Sequence, residues 1–163
     1  MTDVAAAGSE LMRLRGDPAA GGSPGGAGLV TVRARVPPPA DGAQDEAWAV
    51  LRRVNDVVLA AVLLPAEEHA APDADRHLPP WFRQACAPEG ARSPDERRWT
   101  ARSWLSWFDP SDRPWRWWDA EVVTPDLVRV RVEVPGWPVA LGALAWALEA
   151  AGAVDVTEDE SSG

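Results

Sequence analysis

Imidazole, carboxylate and thiol side chains gather in one stretch of the chain. His69, Asp73, Asp75 and His77 fall within nine residues, and Cys86, the single cysteine, follows. All three groups ligate metals, so these four residues are the candidate metal site. The spacing matches no structural zinc pattern, there is no HExxH, and the stretch contains Pro72. A solvated loop without a resident cofactor is the expectation. Cys86 and His77 would supply a thiol and a base, but a thiol nucleophile needs that base within hydrogen-bond reach and an oxyanion donor beside it. Nothing in the spacing provides either, and a lone cysteine is ordinarily a small buried hydrophobe. There is no GxSxG elbow, no lysine for a phosphate-binding loop and no GxGxxG after a strand. The expectation is a chain without catalytic residues.

A second group could bind anions. Arg33, Arg35, Arg129 and Arg131 alternate with apolar residues in two segments, and they share a sheet face if those segments are neighbouring strands. Four guanidiniums on one face can take a phosphate or an acidic partner. An RNA-binding sheet would also interleave aromatics there, and none is present. The opposing expectation is that Glu121, Glu133 and helix acids neutralise these arginines.

Tryptophan is the third group. The chain has ten, against two phenylalanines and no tyrosine. All sixteen basic residues are arginine and isoleucine is missing, which fits a GC-rich coding sequence but does not explain the tryptophans. Each buried indole removes roughly 150–250 Å² from water. In Trp115-Arg116-Trp117-Trp118, strand alternation puts Trp115 and Trp117 on one side and Trp118 on the other. The last helical segment is apolar all round. Trp137, Leu141, Leu144, Leu148 and Ala151 form one stripe, and Val139, Gly142, Ala143, Trp146 and Ala150 the opposite one. Glu149 is the only charge between Trp137 and Gly152. Such a helix must be covered on more than one side. The cover is either the Trp-rich middle of the chain or another polypeptide. The second choice makes Val139, Gly142, Ala143, Trp146 and Ala150, with Trp115 and Trp117, a partner-binding face.

The elements that would position these groups follow from periodicity. Residues 1–28 read as a disordered tail, with one helical turn at most over Glu10–Arg15, because Asp17 to Gly28 is Gly, Ala, Pro and Ser without an apolar period. Residues 29–156 form a single domain, and 157–163 an acidic disordered tail. Leu29 to Val36 alternates as a half-buried strand. Asp41 and Gln44 suit a capping box for a helix whose core positions are Ala47, Val50, Leu51 and Val54 and which ends near Asn55. Val57 to Leu64 is assigned to a strand because it stops at Pro65. A loop over 65–93 leads to a helix over 94–108, capped by Ser93-Pro94-Asp95-Glu96. Trp115–Val123 and Leu127–Val134 form a hairpin around Thr124-Pro125-Asp126. A helix then runs from Pro138 to Ala151 with Gly152 as its C-cap, and Ala153 to Thr157 is an edge strand. At an offset of 98, Leu29, Val30, Val32, Arg33 and Val36 match Leu127, Val128, Val130, Arg131 and Val134, and Ala47-Trp48-Ala49 matches Ala145-Trp146-Ala147. This predicts an α+β fold, a two-layer sandwich of a mostly antiparallel sheet with helices. One form of it is ferredoxin-like with a helical insertion.

The net charge of −9 opposes binding to nucleic acid or to anionic membrane. The longest strongly apolar run, Val57 to Leu64, is eight residues, too short for a membrane span. No basic start precedes an apolar core of signal-peptide length, so a cytoplasmic protein is expected. The functional expectation is a non-enzymatic interaction or accessory module, binding a protein partner or a second copy of itself. The alternative is a small-molecule or metal site, with a Trp-lined pocket under the 66–92 loop.

Overall fold

Strict alternation in the first strand segment gives β1 (Gly28–Arg35). Val30, Val32 and Ala34 point into the core and Arg33 and Arg35 to solvent. The same pattern gives β3 (Leu127–Val134), whose four valines are all buried. The two strands pair antiparallel, with Val32 opposite Val130 and Arg33 opposite Arg129. Val32 and Val130 are also mates at the offset of 98, so the related segments meet at their midpoints. β2 (Arg116–Thr124) pairs with β3, and β4 (Asp155–Asp159) with β1. The result is a four-stranded antiparallel sheet in the order β2-β3-β1-β4.

A computed structural model describes residues 2–17, 28–37, 46–69, 71–88 and 98–159. Its remaining helices are α1 (Thr2–Leu14), α2 (Glu46–Leu63), α3 (Ala66–His69), α4 (Pro80–Ala85), α5 (Ala101–Ser106) and α6 (Gly142–Ala151), with a 3-10 turn at Ala74–His77. The class is α+β, as expected. With α3, α4 and α5 set aside as an insertion, the succession β1, α2, β2, β3, α6, β4 is the split βαβ arrangement. α2 packs against α6, and their apolar stripes join the valines of β1 and β3 in one core. No helix among the described residues is long and apolar enough to cross a membrane.

Several local expectations need correction. Val57 to Leu64 is not a strand: Val57 to Leu63 is the second half of α2, whose buried positions run on through Val57, Val58 and Ala61, and Leu64 follows the helix end. A three-four spacing continues through the apolar run, and Pro65 stops a helix as cleanly as a strand. The 65–93 segment is not a plain loop, since α3, the 3-10 turn and α4 lie within it, with Leu78 and Phe82 anchoring it in the core. α6 starts at Gly142 and not at Pro138, which follows a cis peptide bond in the bend after β3. β4 extends to Asp159, so Thr157 to Asp159 belong to the sheet and not to a tail. The capping signals at Asp41–Gln44 and Ser93–Glu96 lie outside the described residues. α5 is instead capped by Thr100, whose hydroxyl accepts the Ser103 N–H at 3.1 Å.

The largest correction is at the N-terminus, where 2–14 is a helix and not a disordered tail. Glu10, only 1% exposed, accepts from Arg113 Nη2 at 2.7 Å and Nη1 at 3.2 Å, and from the Trp117 N–H at 2.9 Å. Leu14 enters the core, and its carbonyl accepts from Asn55 Nδ2 at 2.9 Å. A polar, Ala-rich segment is thus ordered by partners remote in the chain, which composition cannot register.

Gly152 closes α6 as expected. Its φ of +125° disfavours any L side chain, and a Cβ there would lie 3.4 Å from Val50 Cγ2. Arg53 Nη1 donates to the Ala151 carbonyl at 3.0 Å, placing a cation at the negative end of the helix. Gly152→Ala is expected to lower unfolding free energy by about 1–2 kcal/mol in urea titration, the cost of forcing a side chain into this region. An unchanged midpoint would show that the C-cap relaxes freely.

Candidate functional site: a tryptophan-lined groove

The proposed face of α6 is largely interior. Ala143 is buried and Trp146 is 8% exposed. Trp104 donates its indole N–H to the Ala143 carbonyl at 2.8 Å, and a Cβ on Gly142 would sit 3.1 Å from the Trp99 ring. The chain's own Trp99–Trp104 segment therefore covers this flank, with Val139 and Ala150 half-buried at its margin. Trp115 and Trp117 are core residues, not surface ones. These seven residues do not make a free partner surface. The helix needed a second cover, and the middle of the chain supplies it.

The four arginines do share the outer sheet face, but each meets a carboxylate. Arg131 Nε donates to Asp119 at 2.7 Å and its Nη2 to the other oxygen, Arg129 reaches Glu121 at 2.5 Å, Arg33 reaches Asp159 at 3.2 Å and Arg35 approaches Asp126 at 3.8 Å. The hydrogen bonds it donates to Asp119 hold the Arg131 guanidinium above its ordinary pKa. These exposed pairs contribute little stability, and they answer the charge that an incoming anion would need. Of the acids expected to do so, Glu121 is used; the turn acid Asp126, Asp119 and Asp159 take the other places.

The histidine-rich stretch does not converge either. His69 Nε2 donates to the Leu64 carbonyl at 3.2 Å, His77 Nε2 to Glu68 at 3.2 Å, and Asp73 pairs with Arg76 at 2.6 Å. Among the described residues no three His, Cys, Asp or Glu side chains are placed to hold a metal, so His69, Asp73, Asp75 and His77 form no such cluster. Cys86 is buried behind α4.

An open groove of about 630 Å³ lies elsewhere, between the end of α1, the outer flank of α2 and β2. From α2 come Trp48, Arg52 and Asn55, spaced by four and three residues and so on one side of the helix. From α1 comes Arg13, and from the turn after it Asp17. From β2 comes Trp118, the extra residue where the pairing with β3 shifts between Trp117 and Asp119. Such a bulge re-aims a side chain, and here Trp118 meets Arg13, whose guanidinium carbon stands 3.8 Å from the ring centroid. The buried Glu10–Arg113 pair holds α1 in place, and with it one wall of the groove.

Trp48 is 50% exposed. Among the described residues its ring has neither an aromatic nor a cationic neighbour. Among the described residues the groove is lined by aromatic, apolar, amide, aspartate and arginine side chains, which offer surfaces and charges for binding. Periodicity missed this site. The available signal was that Trp48 falls off the Ala47, Val50, Val54 stripe of its helix, while the bulge at Trp118 leaves no trace in alternation. The chain matches no protein-family model, no curated protein and no solved structure in comparisons with each.

Proposed function

We propose that the chain is a non-enzymatic interaction module whose contact surface is the groove between α1, α2 and β2. This keeps the class of function expected from the sequence and moves the contact away from α6. The observation that carries it is the half-exposed indole of Trp48, without a ring partner among the described residues, in a concave site also lined by Trp118. Tryptophans seated in concave contact surfaces are the commonest anchors of protein interfaces. A second reading, a small-molecule site, rests on the groove volume, which lies within the range of ligand pockets.

The test places a photo-cross-linking residue at Arg52 of the full chain in its native host. A single protein species should cross-link and co-purify stoichiometrically, and Trp48→Asp should remove it while leaving the thermal midpoint of the purified chain within a few degrees. An associate retained by Trp48→Asp, or none at all, would sink the module reading. A bound metabolite lost in the variant would favour the second.

A further inference from the structure

We infer that the groove takes a basic segment of a partner protein, with an arginine side chain laid on Trp48. This rests on the reading of the groove as a protein contact site and names the chemistry of what enters it.

The chain itself shows what such a surface accepts. Arg13 stacks on Trp118 at 3.8 Å inside the groove, so one indole of the site already holds a guanidinium by cation–π attraction. Trp48 lines the same groove, and among the described residues nothing stacks on its ring. Of the three aspartates that line the site, Asp119 is paired with Arg131 and Asp17 has an interaction of its own, so the carboxylate that matters for an incoming charge is Asp56. The charge of Arg13 is directed at Trp118, and Arg52 Nε leans 3.5 Å from the Trp48 carbonyl rather than over the ring. Among the described residues Asp56 has no ion-pair or hydrogen-bond partner, leaving a carboxylate available at the mouth.

The wider field points the same way. At −9, two copies of this chain repel each other on approach, which disfavours a second copy as the occupant, while a basic segment is drawn in. An acidic segment would set its carboxylates against Asp56, and a purely apolar one would leave Asp56 without a partner on docking.

The test uses the full chain and a twelve-residue peptide of alternating arginine and glycine, with citrulline and glutamate versions as controls, titrated by calorimetry at physiological ionic strength. The arginine peptide should bind at least about tenfold tighter than the citrulline peptide. Trp48→Ala leaves the net charge unchanged, so diffuse attraction persists in it, and it should weaken binding about fivefold or more, the size of one cation–π contact. Asp56→Asn should weaken it about twofold or more, whereas Trp137→Ala, which removes a still more exposed indole outside the groove, should leave it unchanged. Circular dichroism confirms that each variant is folded. Equal affinity in wild type and Trp48→Ala, equal binding of the glutamate peptide, no binding at all, or a wild-type dimer that Trp48→Asp dissolves would each overturn the inference. If the arginine peptide fails while a partner still cross-links at Arg52, the basic occupant falls and the module reading stands.

Discussion

Glu10→Ala is expected to lower the unfolding free energy by about 3–5 kcal/mol, the usual cost of removing one member of a buried ion pair. The reason lies in what remains. Arg113, with an 8% exposed side chain, would keep its charge beneath α1 with its carboxylate partner gone, and the Trp117 N–H would lose its acceptor. For a chain of this size the thermal midpoint should fall on the order of 10 °C. Glu10→Gln keeps an acceptor but not the charge and should fall between the two. The double variant Glu10→Leu, Arg113→Met removes both charges and should recover part of the loss, because the pair carries a large desolvation cost that neutral side chains avoid. Urea titration followed by circular dichroism measures all three. If Glu10→Ala stayed within about 0.5 kcal/mol of wild type, the range of an ordinary surface change, α1 would not be held in the way described.

Trp104→Ala should be comparably damaging, at about 3–5 kcal/mol. Trp104 is fully buried, with ring centroids 4.5 Å from Phe82 and 4.4 Å from Phe108, and its N–H reaches the Ala143 carbonyl. It therefore ties the insertion between α2 and β2 to the flank of α6. Trp104→Phe keeps most of the packing and loses the hydrogen bond, so it should cost clearly less, about 1–2 kcal/mol. In Trp104→Ala the remaining indoles should become more accessible to acrylamide, since the packing that holds the insertion against α6 at Ala143 is weakened. A folded, unquenched Trp104→Ala protein would mean that another element covers α6.

The parts of the fold legible in the sequence are those set by short-range pattern. Val30 to Val36 and Val128 to Val134 announce their strands because one face is core and the other water. Gly152 announces a helix end because few other residues tolerate its backbone. The uncharged surface of α6 correctly signals that two of its sides need cover, but whether that cover is a partner or Trp99 and Trp104 is decided by how the insertion folds back, and no local pattern encodes that. Val57 to Leu64 shows the limit of periodicity, since an apolar run fits either period. Trp48 and Trp146 make the point most directly. They are mates at the offset of 98 with alanine on both sides, yet one is half exposed and the other buried. The difference comes from what packs beside each helix. The candidate site was illegible for the same reason, since it needs α1 docked, and the residue that docks it stands 103 positions away.

That separation has a consequence for biosynthesis. During translation α1 leaves the ribosome long before Arg113 does, and it has no counter-charge until the middle of the chain has followed. The groove is thus completed late, only after β2 has followed α1 and α2 out of the ribosome. A fragment starting after Glu10 would lose the residue that docks α1, and one ending before Arg113 would lack β2, and with it both a wall of the groove and the sheet.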